Sequence, residues 1–231
     1  MKQKMKIVKV TRETPDTNTL SFQGAEKMDF KPGQFLMIEF LRKEKIPKRA
    51  YSISSSPTRN ENVEITVKEM PGGWVSKLLN ECNKEEEFLI DGPYGHFIFD
   101  EKEMKEIVMI GAGSGVAPYR GFCHYIIDKK IPIKATFVYS SKTEEDVIFL
   151  NQLRKFEKQI PNLDLILTLT REEKKGFHNG RIDDVMIKEI ISKYNDPYFF
   201  LCGPPKMVQS VKELILANGI DKDKVKQEIY G

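Results

Sequence analysis

The hydrophobic period of this chain changes near residue 100, and that change constrains the fold more than any other feature. Before it, short runs rich in β-branched and aromatic residues recur at 7–10, 35–40, 63–67 and 88–90, separated by turn signals such as Pro32-Gly33, Ser56-Pro57 and Pro71-Gly72-Gly73. This spacing predicts an antiparallel β-barrel or sandwich. One helix is expected to interrupt it at 74–82, with Trp74, Leu78 and Leu79 on a shared face. After the charged stretch 100–106, continuous apolar runs at 107–110, 133–139, 163–169 and 198–202 alternate with helical periods at 116–128, 147–159, 181–194 and 206–217. Strands buried on both faces read as unbroken apolar runs, and alternation with helices implies a parallel sheet covered on both sides. The expectation is an antiparallel β-barrel domain over 1–101 followed by an α/β parallel-sheet domain over 102–231.

Composition excludes several classes. Lys and Arg total 37 against 34 for Asp and Glu, a net charge of +3 that gives no argument for nucleic acid. No apolar run approaches the roughly 20 residues of a membrane span. The first ten residues, MKQKMKIVKV, have charge but no apolar stretch of signal-peptide type, so a cytoplasmic location is expected. Cys82, Cys123 and Cys202 are far apart and form no Cys-x-x-Cys pair. An ordinary iron–sulfur cluster takes four thiolates, so no metal site is expected here. An odd, scattered count also argues against a secreted disulfide framework.

Residues 107–110 run straight into Gly111, Gly113, Ser114 and Gly115, then Pro118. The usual dinucleotide fingerprint would need glycine at 116, where Val116 stands. The physics is nonetheless shared: small residues let the backbone approach a pyrophosphate at a helix start, and proline suits the first helical turn. An NAD site usually offers an acid at the tip of its second strand, but that strand here ends Ser140-Ser141-Lys142. Cys202-Gly203-Pro204-Pro205 closes the last core strand, where parallel sheets form their pockets. Taken singly, each of these motifs also reads as a structural turn or a buried cysteine.

Together with Arg49-Ala50-Tyr51-Ser52 and Gly92-Pro93-Tyr94-Gly95, and in this order, they make the chain resemble the ferredoxin–NADP reductase-type flavoproteins. The resemblance implies FAD on the first domain, NADP(H) on the second, with NAD(H) an alternative, and hydride passing between them. It places Arg49 on the flavin diphosphate, Tyr51 beside the flavin, and Ser52 near the ring nitrogen that receives hydride, with Ile53 and Ser54 continuing the strand. Gly73, Trp74, Val75 and Ser76 open a helix whose start would hold the diphosphate, Ser76 acting as a hydroxyl donor or as a cap; Trp74 is expected to pack. Residues 92–95 would shape the crossing between domains, and His96 reads as solvated. On the nucleotide side the resemblance implies Cys202 near the nicotinamide, flanked by Gly203, Pro204 and Met207, without a covalent role. Lys142, Arg171 and Arg181, beside Ser140, would clamp the extra phosphate of NADP, although Glu144, Glu145, Glu172 and Glu173 flank them. Tyr230 would stack on the flavin, and Glu228 would relay a proton or touch the nicotinamide.

The implied partner is a ferredoxin, a flavodoxin or another small redox protein. A basic loop at 42–49, with Lys2, Lys4 and Lys6, could steer such an acidic carrier. Two rival readings stand beside this one: an NAD(P)H:flavin reductase, and an electron-transfer subunit of a larger redox complex.

Overall fold

The computed structural model describes residues 2–59 and 61–230. Two compact units emerge that are not contiguous in sequence: one gathers the chain up to Ile98 with Ala117–Asp128, the other Phe99–Val116 with the chain from Lys129 onward.

The first unit is an antiparallel six-stranded sheet. Its strands are β1 (Lys2–Thr14), β2 (Thr17–Gly24), β3 (Phe35–Phe40), β4 (Arg49–Ser52), β5 (Val63–Lys68) and β6 (Glu87–Tyr94), in the order β4-β3-β6-β1-β2-β5. The sheet curls until its edges meet, because Ile53, just past β4, bridges Ile65 of β5 in antiparallel fashion. Inside lie Ile7, Leu20, Phe22, Leu36, Ile65 and Phe88, all fully buried. Each such side chain contributes about 1.5–3 kcal/mol through burial.

β2 has no counterpart among the expected strands. Its sequence, TNTLSFQG, buries Thr17, Thr19 and Ser21 as well as Leu20 and Phe22. The hidden hydroxyls are satisfied across the sheet, Thr19 with Thr66 and Ser21 with Glu64. Polar residues inside a strand erase its apolar alternation, so the segment reads as a loop. Residues 92–94 form the end of β6.

Helix α1 (Trp74–Asn80) lies between β5 and β6 and ends two residues before the expected Cys82. Its buried face is Val75, Ser76 and Leu79, with Leu78 half-buried, whereas Trp74 is 52% exposed. The expected face and the packing role of Trp74 are both corrected. Starting at Trp74, the helix places its first residue at the rim of the core. Helix α2 (Ala117–Lys129) also packs in this unit up to Asp128. Tyr119 and Phe122 meet Phe97, and a Cβ at Gly121 would lie 2.7 Å from the Ser55 carbonyl oxygen.

The second unit holds six parallel strands: β7 (Glu106–Ala112), β8 (Lys134–Ser141), β9 (Leu163–Leu169), β10 (His178–Asn179), β11 (Tyr198–Gly203) and β12 (Val225–Ile229). Their order is β10-β9-β8-β7-β11-β12. The direction of winding therefore reverses between β7 and β11, the switch point at which α/β sheets form their ligand crevice. On one face α4 (Asp184–Ile191) and α5 (Pro205–Ala217) cover Val108, Ile110, Phe199 and Leu201.

Two helices start later than their apolar periods suggest. Phe149 precedes α3 (Leu150–Gln159) with φ 65°, so residues 147–149 form a buried lead-in outside the helix. The Asp183 carboxylate accepts a bond from the Met186 amide at 2.9 Å and starts α4 after Arg181, which leaves that arginine in the preceding loop. No helix is long and apolar enough to cross a membrane among the described residues.

Candidate functional site

In the first unit, β4 presents Arg49 to solvent. Its guanidinium bonds the Lys48 carbonyl at 2.9 Å and has no acidic partner among the described residues. Tyr51 is half-buried against the barrel core, and burial raises its phenol to about 12, which keeps it neutral and able to donate. Ser52 is buried at 4% exposure and pairs with Phe35. Ile53 and Ser54 are also buried, and β4 ends before them at Ser52. The Ser54 hydroxyl accepts from Thr66 at 3.0 Å, which makes it a structural group.

The antiparallel Ile53–Ile65 bridge runs Arg49 toward the end of β5 that leads into the turn at 70–73. There Gly73 stands at the N-cap of α1 with no side chain capping the helix. First-turn amides lack an intrahelical acceptor, so those of Trp74, Val75 and Ser76 face outward with partial positive charge. Ser76 itself is neither cap nor open donor: its hydroxyl donates to the Gly73 carbonyl at 2.8 Å and accepts from the Met70 amide at 3.1 Å, which pins the turn. An exposed guanidinium and an uncapped helix start fit a diphosphate.

In the second unit, the glycines have separable roles. Gly111 lies in β7 opposite Cys202 and Tyr139. Gly113 takes φ 56°, and its carbonyl accepts the Tyr139 hydroxyl at 2.9 Å. A Cβ at Gly115 would overlap the Cys202 carbonyl, so glycine there permits close approach of β11. Ser114 is half-buried and Pro118 is the second residue of α2. Gly203 needs φ 146°, Pro204 is the N-cap of α5, and Met207 packs partly buried beneath them.

Lys142, Arg171 and Arg181 do converge at the carboxyl edge of this sheet. The Arg171 amide donates to the Lys142 carbonyl at 2.9 Å, and the Gly180 amide donates to Leu169 at 2.9 Å. Ser140 is half-buried beside them in β8. All three cations are exposed and make no ion pair among the described residues. The flanking acids are largely engaged elsewhere. Glu144 pairs with Lys174 and with Arg154, Glu172 accepts the Glu144 amide at 2.7 Å, and Glu173 accepts Asn179 at 2.8 Å.

β12 is a further strand the sequence pattern did not reveal. It sets Glu228 directly opposite Cys202, and the Tyr230 amide donates to the Gly203 carbonyl at 3.1 Å. The Tyr230 hydroxyl donates to Glu228 at 3.3 Å. Burial above all, then the Glu228 charge, raises the Cys202 thiol well above its ordinary value, although a bond with Tyr230 opposes this. The thiol stays protonated near neutrality. Gly231 lies outside the described residues.

The basic cluster of the first unit is not a bare patch. Lys2 and Lys48 both pair with Glu39, Lys4 with Glu87, Lys6 with Glu85, and Arg42 with Glu86. Sequence reasoning also missed Arg120, whose Nη1 donates to Glu64 at 2.6 Å and to the Ser54 carbonyl at 2.9 Å. His96 is exposed.

Residues 4–99 match the model of the oxidoreductase FAD-binding domain, and 109–213 that of the oxidoreductase NAD-binding domain. The glycine betaine monooxygenase reductase subunit of Chromohalobacter salexigens is 30% identical over 98% of this chain. The chain spans 64% of that relative's length. An Amycolatopsis cytochrome P450 reductase superposes with a TM-score of 0.89 at 19% identity, covering 99% of this chain and 69% of its own. A ferredoxin NADP+ reductase from Neisseria gonorrhoeae with bound FAD and NADP gives 0.86 at 21% identity, covering 99% and 98%.

Proposed function

The chain belongs to the ferredoxin–NADP reductase-type flavoproteins, and on that premise we propose an NADPH-dependent reductase that passes electrons to a ferredoxin, a flavodoxin or a similar small carrier. FAD, when bound, would supply the hydride and single-electron chemistry. The protein supplies position and charge.

Arg49 and the amides that open α1 hold the diphosphate. Tyr51 lies against the flavin as a neutral donor, and Ser52 offers its hydroxyl to the reacting nitrogen. Gly113, Ser114 and Gly115 admit the nucleotide pyrophosphate. Cys202 gives a small, neutral surface to the nicotinamide. Glu228 orients Tyr230 through the bond between them.

One observation carries the preference for NADPH: three cations that make no ion pair among the described residues follow the carboxyl ends of neighbouring strands, where Glu144, Glu172 and Glu173 are engaged by other groups. A charge-assisted bond to phosphate contributes about 1.5–3 kcal/mol. The test is anaerobic bleaching of the flavin bands by NADPH and by NADH. Much faster bleaching by NADPH is expected; equal rates would reject the clamp while keeping the enzyme, and failure to bleach with either would reject the enzyme.

A second reading is favoured by the relative's name, a reductase subunit: this chain could serve as the electron-transfer part of a larger assembly. Co-purification with an iron–sulfur or oxygenase partner would support it.

A further inference from the structure

The geometry points to Arg120 as a positioning residue that holds the flavin strand in place from the helix that follows the nucleotide loop. This rests on the function proposed above.

Arg120 is the fourth residue of α2, which begins directly after the short helix Gly113–Val116. Its side chain is 13% exposed, and that of Glu64 is 21%. One guanidinium nitrogen donates both to the Glu64 carboxylate at 2.6 Å and to the Ser54 carbonyl at 2.9 Å. Glu64 is held in turn: its other oxygen accepts from Ser21 at 2.7 Å, and its amide donates to the Ser55 hydroxyl at 3.0 Å. The Ser54 amide donates to the Glu64 carbonyl at 2.8 Å. Burial works against ionisation of Glu64, but Arg120 and Ser21 outweigh it and keep its carboxyl below the ordinary range.

The backbone two residues beyond Ser52 is therefore fixed on both sides, by Glu64 through the Ser54 amide and by Arg120 through the carbonyl. Gly121 lets α2 approach this same segment closely. Arg59 adds a forked pair to Asp128 at 2.8 and 2.6 Å at the far end of the helix, so α2 has little freedom to slide. Both Arg120 bonds leave the same terminal nitrogen, and the lysine side chain ends one bond short of it, so charge alone does not bring a donor to both acceptors.

Arg120→Ala would strand a buried carboxylate and could unfold the protein. Two gentler variants avoid this: Arg120→Lys, and Arg120→Met combined with Glu64→Gln. For each, FAD affinity of the apo-protein, melting temperature, visible circular dichroism of bound FAD and single-turnover bleaching by NADPH are measured. We expect both variants to retain FAD, with altered flavin dichroism and bleaching at saturating NADPH slowed about tenfold. The NADPH concentration giving half-maximal rate should stay within about twofold, because the nucleotide contacts are untouched. Wild-type dichroism and rate in both variants would overturn the inference, as would slowing only in proportion to lost FAD. A wild type that binds FAD but is bleached by neither nucleotide would reject the proposed function, and the dichroism would still decide the role of Arg120. A wild type that takes up no FAD would overturn both.

Discussion

Two groups of cations in this chain look alike in sequence and differ in the structure. Lys2, Lys4, Lys6, Arg42 and Lys48, on the barrel unit, each face a glutamate supplied by a neighbouring strand or loop. Lys142, Arg171 and Arg181, on the α/β unit, lie among acids in sequence yet make no ion pair among the described residues, while Lys174, Arg154, Asn179 and a backbone amide engage Glu144, Glu172 and Glu173. A run of lysines is thus no measure of the field it projects. Exposed pairs stabilise a fold by only about 0.2–1 kcal/mol each, but they cancel one another beyond a Debye length of about 8 Å. The unpaired set retains its charge for a ligand.

Removing the arginines of the α/β unit has the greatest consequence. Arg171→Ala with Arg181→Ala should lower kcat/KM for NADPH by about 100-fold or more, at about 1.5–3 kcal/mol for each charge-assisted bond. NADH turnover should change by less than about threefold. Steady-state reduction of ferricyanide with each nucleotide reads both, and equal loss with both would make the arginines structural.

Next in size is packing. Gly115→Ala drives a methyl into the Cys202 carbonyl, and Gly121→Ala places one 2.7 Å from the Ser55 carbonyl. Overpacking of this kind destabilises by about 1–3 kcal/mol, with Gly115→Ala the more severe. Thermal melts rank the two, and the reverse order would show that β11 yields more easily than the Ser55 loop.

An effect of similar size depends on pH. Burial above all, then Arg120 and Arg59, lowers His124 from its ordinary 6.5 to about 4. The folded state therefore resists protonation that the unfolded chain accepts. Stability from this group is complete above about pH 6.5 and is lost as pH falls toward 4, by about 1–3 kcal/mol after allowing for its partial exposure. His124→Gln should flatten that part of the melting-temperature curve, whereas an unchanged slope would assign it to other groups.

Reversing single charges of the barrel cluster costs least. Lys4→Glu and Lys6→Glu each break one exposed pair, at less than about 1 kcal/mol. Ferredoxin reduction at 0.15 M salt should change by less than about twofold. A large drop would show that the barrel cluster steers the carrier despite its pairing.

Where apolar side chains dominate an element, the sequence marks it. The runs at 107–110, 163–169 and 198–202 are strands because nothing polar interrupts them, and α5 shows its helical period from end to end. β2 and β12 escape the same reading. β2 hides threonines and a serine that hydrogen-bond across the sheet, and β12 buries only Val225 fully in a strand of mostly charged and polar residues. The convergence of Lys142, Arg171 and Arg181 could be anticipated, since each follows a parallel strand or its adjoining loop. That their neighbouring acids would be occupied could not, because the partners arrive from distant segments. Trp74 shows the opposite failure: its size suggested packing, and its position at the first turn of α1 left it exposed.

The two architectures, their order and the glycine-rich turn at the sheet's carboxyl edge are legible in the chain, since they follow from local period and from backbone space. Which charges go unpaired, that Cys202 stays a protonated thiol opposite Glu228, and that Arg120 grips the Ser54 carbonyl emerge only on folding. Those properties depend on burial and on partners remote in the chain, and neither is set by the residues immediately alongside.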